Sequence, residues 1–174
     1  IFVNAKSLGL SGIELQENVN NNPSLLEKLE TIRAHAAVTM GLASSPSEAT
    51  EKRPHTPKLA FVANASAYTA SSGKAVNEQD IDVLARIMSM GKLHHAMTGT
   101  GAIAIAVASA IPGTIINAVL GGKSQARVRF GHPSGILGVG AEASNESGQW
   151  VISKALMSRS ARRLMTGEVW VPEM

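Results

Sequence analysis

The sequence predicts an α+β lobe, a mostly antiparallel sheet wrapped around a central helix or helix pair. Three observations predict it. Short apolar runs of strand character outnumber helical segments, the last third alternates in the style of antiparallel hairpins, and two helical segments lie next to each other in the middle. At 174 residues the chain has room for one domain with a real core, or for two small lobes.

Ile1-Phe2-Val3 reads as a strand ending at Asn4. Pro23 sits where a helix can begin, and Leu25, Leu26, Leu29, Ile32 and Ala36 follow helical spacing to about Met40. Residues 44–57, rich in Ser, Pro, Glu and Lys, read as a surface loop. Leu59 to Ala63 is a strand, with Tyr68 on its continuation or its partner, and Ser71 to Lys74 is a turn. Asn77 with Asp80 forms a weak capping box, which predicts a helix carrying Ile81, Leu84, Ile87 and Met88 and stopped by Gly91. A second helix is predicted from Gly99 to about Ala110, and a buried strand over 114–120. Residues 125–130 alternate as a strand, with Arg127 and Arg129 on one face. Ile136 to Ala143 and Trp150 to Met157 pair around a hairpin turn at Asn145-Glu146-Ser147-Gly148. Ser160 should cap a short helical turn through Met165, and Val169-Trp170-Val171 a last strand.

Composition narrows the function classes. Apolar residues make up 44% and mean hydropathy is +0.07, as in a globular protein. The net charge is +3, but acids and bases nearly balance, no Lys/Arg block occurs, and aromatics are only 3%, which argues against a nucleic-acid partner. With no cysteine there is no disulfide, thiolate metal site or Cys nucleophile on this chain. Gly101–Leu120 is uncharged and long enough for a bilayer, yet Pro112-Gly113 divides it, so two buried elements are expected rather than a membrane span. No signal-peptide pattern is visible, and the opening on a strand interior suggests a piece of something longer.

Residues 83–141 contain no Asp or Glu, while holding Arg86, Lys92, Lys123, Arg127, Arg129, His94, His95 and His132. Cations, hydroxyls and backbone N–H groups without a competing carboxylate describe an anion site. Thr98-Gly99-Thr100-Gly101 lacks Cβ at two positions and opens a helix, so free N–H groups and the positive dipole end could meet a carboxylate; the alternative is plain capping by Thr98 or Thr100. Gly99, Gly101 and Ala104 also match G-x-G-x-x-A, but the strand before it and the acid after it are missing, so no dinucleotide is expected. Gly131-His132-Pro133-Ser134-Gly135 can expose His132 and Ser134 together, as a substrate-orienting pair or as a solvent turn. His94 and His95, being adjacent, lack the spacing of metal ligands, so no metal is expected, and one of them is a candidate donor to the anion. Arg159, Arg162 and Arg163 read as a solvated face or a partner-binding one.

The order of these motifs resembles the PrpF family. Ile1-Phe2-Val3-Asn4-Ala5 with Leu8-Gly9 and Gly12, Lys92-Leu93-His94-His95 before Thr98-Gly99-Thr100-Gly101-Ala102, the Gly131–Gly135 turn, and Ser160-Ala161-Arg162-Arg163-Leu164-Met165 before Gly167-Glu168-Val169 carry the likeness. The resemblance implies a diaminopimelate epimerase-like fold, with residues 1–174 as the C-terminal lobe of a two-lobe protein. It further implies cofactor-independent isomerisation of a small unsaturated di- or tricarboxylate such as aconitate, 2-methylaconitate or methylitaconate. In that frame Asn4, Thr98, Gly99, Thr100, Gly101, His132, Ser134 and Gly135 bind substrate, and the acid/base lysine and cysteine come from the other lobe. Thr98 stands where the epimerases carry a second catalytic cysteine, so it should orient substrate rather than move its proton. Self-association, an aconitase-type partner and a cytoplasmic location, with a mitochondrial one left open, complete the expectation. A non-catalytic carboxylate-binding or docking module is the alternative.

Overall fold

The computed structural model describes residues 1–159 and 161–172. β1 (Phe2–Asn4) runs into a short 3-10 turn, where the Asn4 side chain accepts from the Lys6 N–H. α1 (Gln16–Asn20) leads to α2 (Pro23–Thr39), capped by Asn22 with Pro23 at its first position. α3 (Pro46–Lys52) follows where the composition predicts only a loop. Ser45 caps it and Pro46 opens it, with Glu48 in the first turn; this start signal outweighs the polar composition.

β2 (Ala60–Asn64) pairs in parallel with β1. β3 (Tyr68–Thr69) and β4 (Ala75–Val76) form a separate small hairpin. The helix expected after Asn77 is instead β5 (Val83–Ser89), followed by β6 (Lys92–Leu93). The Asn77–Asp80 box is real but closes only a 3-10 turn. β5 is covered on both faces. Val83 and Ala85 meet the central helix, while Leu84 and Met88 enter clusters on the far side. A strand buried on both faces has no polar alternation, and its apolar positions also fit a helical period.

α4 (Gly99–Ala110) matches the predicted helix. α5 (Ile115–Val119) replaces the strand expected over 114–120, because the Thr114 hydroxyl accepts from the Asn117 N–H and starts a helical turn. The middle therefore holds one central helix and a short satellite. β7 (Arg127–His132), β8 (Gly135–Glu146) and β9 (Gln149–Met157) complete an antiparallel meander, as expected.

The large sheet has seven strands, in the order β1-β2-β5-β7-β8-β9 with β6 beside β5. Two of its pairings are parallel, β1 with β2 and β5 with β7. Its inner face wraps α4, where Ala102, Ile105 and Ala106 meet Val62, Val83, Ala85, Val128, Phe130 and Val139. Small side chains on α4 let the strands approach closely, and burying Ile105 alone contributes about 2 kcal/mol. Residues 161–165 are not helical and 169–171 form no strand; Leu164, Met165 and Trp170 are almost fully exposed there. Neither segment has a packing surface among the described residues to stabilise it, and the predicted cap Ser160 lies outside them. No described helix is long and apolar enough to cross a membrane.

Candidate active site

The N-terminus of α4 is built by its own sequence. Thr98 is extended and its hydroxyl accepts from the Gly101 N–H at 3.2 Å. The Ala102 N–H donates to the Thr98 carbonyl at 2.9 Å. That leaves Gly99 and Thr100 as the first-turn donors without an intrahelical partner. Thr98 thus caps, and its own proton remains available. Gly101 is buried, and a Cβ there would collide with Ile87 Cδ1 and stand 2.7 Å from Thr98 Oγ1.

The Gly131–Gly135 turn is brought to the same side of the sheet. Val128 and Phe130 point toward α4, so alternation places His132 on that face. The His132 ring lies 5.9 Å from Phe130 and is buried. Its Nδ1 accepts from the Ser134 N–H at 3.2 Å, which puts the proton of the neutral ring on Nε2. Burial, then the nearby Arg86 charge, then His94 lower the His132 pKa from 6.5 to about 4. At neutral pH it is an uncharged Nε2–H donor. Ser134 is exposed, and its hydroxyl donates to the His95 carbonyl. To donate to a ligand it must leave that carbonyl. Gly135 begins β8 at φ 137, a conformation that favours glycine. His94 and His95 stack, with ring centroids 4.6 Å apart, in the segment that leads into Thr98.

Sequence-predicted residues from two loops thus share one face. Asn4 lies on the same side of the sheet, two residues after Phe2, which packs against the α4 cluster. It stands on β1, however, three strands from β7 in the sheet order and so roughly 14 Å along the sheet, and its side chain caps the 3-10 turn.

The cations of the acid-free stretch do not gather there either. Arg86 projects from β5 to the face opposite α4 and is fully buried beneath the Tyr68 ring. Arg127 and Arg129 also leave β7 on that opposite face. Arg129 is held at 2.7 Å by Asp82, just outside the acid-free stretch. These two arginines border a groove of about 580 Å³ with Gly138, Gly140 and Leu156. What faces α4 is a set of N–H and hydroxyl donors rather than a cluster of positive charge. Among the described residues no group of three or more His, Asp or Glu could hold a metal ion.

The contacts of Tyr68 with the His132 and Gly135 carbonyls and of Arg86 with that of Gly131 are missed from sequence, although each residue leaves a trace. Tyr68 is the one tyrosine, and Arg86 is a lone charge inside an apolar run.

A family model described as PrpF protein matches residues 1–172. The chain belongs to the PrpF family. It is 56% identical over 173 residues to a 2-methyl-aconitate isomerase of Shewanella oneidensis, covering 99% of this chain and 43% of that protein. A 3-methylitaconate isomerase of Eubacterium barkeri is 38% identical, with 98% of this chain and 44% of the relative covered. The crystal structure of a methylitaconate-delta-isomerase superposes with a TM-score of 0.79 at 35% identity, over 91% of this chain and 42% of that one. The fold is therefore diaminopimelate epimerase-like, as the resemblance implies. The chain spans a little under half the length of the curated relatives it matches.

Proposed function

We propose that this chain is the C-terminal lobe of a two-lobe isomerase that moves a double bond in a small unsaturated di- or tricarboxylic acid. A proton leaves the allylic carbon, the double bond migrates, and a proton returns at the other end of the three-carbon unit. Charge spreads into the adjoining carboxylate as the first proton leaves, and preplaced donors stabilise it. The Gly99 and Thr100 N–H groups, the Thr98 hydroxyl and the neutral His132 Nε2–H suit that task. Ser134 and Gly135, on the turn that carries His132, belong to the same substrate-binding set in this reading.

The observation that carries this reading is the convergence of the α4 terminus and the His132 turn, both drawn from the acid-free stretch, on one face. The names of the relatives supply the substrate class. His132 is held neutral with its Nδ1 already accepting, and the Thr98 and Ser134 hydroxyls are weak bases, so the acid/base pair is assigned, as the resemblance implies, to the remaining part of the longer protein. A cytoplasmic location and contact with an aconitase-type enzyme belong to the same reading.

The test is to assay the full-length protein and the 174-residue chain with trans-aconitate and 2-methylaconitate. Full-length protein should turn over one of them, and the chain alone should bind without turnover. Turnover by the chain alone would remove the two-lobe assignment. Binding without turnover by the full-length protein would favour the carboxylate-binding module.

A further inference from the structure

The Gly131–Gly135 turn is short and poorly suited to stand alone. His132 pairs with Gly135, so Pro133 and Ser134 form a two-residue hairpin loop. The turns that match strand twist in such loops need positive φ at the first position, which proline cannot adopt. External contacts must hold this turn, and they are present. The Gly131 carbonyl accepts from Arg86 Nη1 at 3.1 Å. The Tyr68 hydroxyl lies 2.7 Å from the His132 carbonyl and 2.6 Å from that of Gly135, its one proton serving both. The Pro133 carbonyl accepts from the Ser71 N–H at 2.8 Å, in the turn of the β3–β4 hairpin.

Arg86 ties these contacts together. Its guanidinium lies 5.0 Å from the centre of the Tyr68 ring, and its Nε donates at 2.6 Å to the Glu14 carbonyl. That carbonyl belongs to a loop closed on itself, where the Glu14 carboxylate accepts from the N–H groups of Ser11 and Gly12. Gly12 is required there, because a Cβ would stand 2.6 Å from that of Ala63. Tyr68 cannot move without releasing two turn carbonyls, and Arg86 cannot move without releasing Tyr68 and Gly131.

We infer that Tyr68 and Arg86 are positioning residues that clamp the Gly131–Gly135 turn from behind and so set where His132 and Ser134 stand relative to the α4 N-terminus. The functional importance of the clamp rests on the reading that this turn orients substrate.

Full-length protein carrying Tyr68→Phe or Arg86→Gln tests it. Tyr68→Phe keeps the ring and its packing and removes only the hydroxyl. Hydrogen exchange in peptides covering 131–135 should quicken at least tenfold, with exchange in β2 and β5 unchanged. Arg86→Gln should in addition raise the His132 titration, followed by NMR of labelled histidine. A mere packing role for Arg86 would leave that titration in place. Affinity for trans-aconitate should fall about tenfold in Tyr68→Phe. Wild-type exchange at the turn in Tyr68→Phe overturns the inference, whatever happens to binding. A loosened turn with unaltered trans-aconitate affinity upholds the clamp and instead sinks the substrate role of the turn.

Discussion

Two buried arginines divide the molecule into regions that handle charge differently. Arg33, on α2, meets the Glu30 carboxylate with Nε at 2.7 Å and Nη2 at 2.6 Å. Its remaining donors reach the carbonyls of Ala49, Arg53 and Thr56, which clip α3 and the segment after it onto α2. Arg86 is more deeply buried, yet among the described residues it has no carboxylate within ion-pair reach. Among those residues it bonds carbonyls only, and its Nη2 has no partner. Burial lowers its pKa to about 10. A paired charge is neutralised where it sits and serves as architecture. An uncompensated one projects its field onto its neighbours, and His132 is the neighbour that registers it.

The sharpest way to break this comparison is to remove each arginine. Arg86→Met leaves the Glu14 and Gly131 carbonyls without their donor in a dry interior and should cost about 3–4 kcal/mol. Arg33→Met should cost roughly half as much, because Glu30 is partly exposed and water can reach it. Urea unfolding of both variants checks the order, and an equal or reversed order would mean that pairing is not what separates the regions.

A pH titration sharpens the comparison further. His132 is held neutral, with a folded pKa of about 4 against 6.5 unfolded. The unfolded chain therefore binds the proton first, and stability falls as pH drops from 6.5 toward 4, by about 3 kcal/mol at most. His132→Gln should flatten that window in urea-unfolding curves taken across it.

The smallest effect belongs to the paired region. Arg33, as hydrogen-bond partner, holds the Glu30 carboxyl below its ordinary value of 4.5. That contribution is full above 4.5 and is lost as pH falls through the folded pKa. Glu30→Gln should cost about 1 kcal/mol at pH 7 and remove this part of the acid sensitivity below 4.5, leaving the His132 window intact.

Much of the candidate site was legible in local residues. The Thr98 cap, the α4 helix and the Gly131–Gly135 turn depend on contacts within a few positions, and such contacts leave spacing behind. Other elements misled for equally local reasons. The Ser45-Pro46 start of α3 was present but masked by polar composition. Residues 83–89 and 114–120 are apolar runs too short for periodicity to separate strand from helix. β5 was decided by α4 covering one face and the Tyr68 and Met88 clusters the other, whereas Thr114 decided α5.

By itself the sequence determined the α+β class, the central helix with its capped start, the closing meander, and a middle stretch free of carboxylates. Each follows from side-chain pattern or from the chemistry of a turn, which neighbouring residues settle among themselves. Only the tertiary structure decided which face each polar group would occupy. It sent Arg86, Arg127 and Arg129 away from α4, left Asn4 three strands from the turn, and set Tyr68 behind His132 across 64 positions of chain. Those outcomes depend on strand order and register, and contacts between residues distant along the chain leave no local period to read.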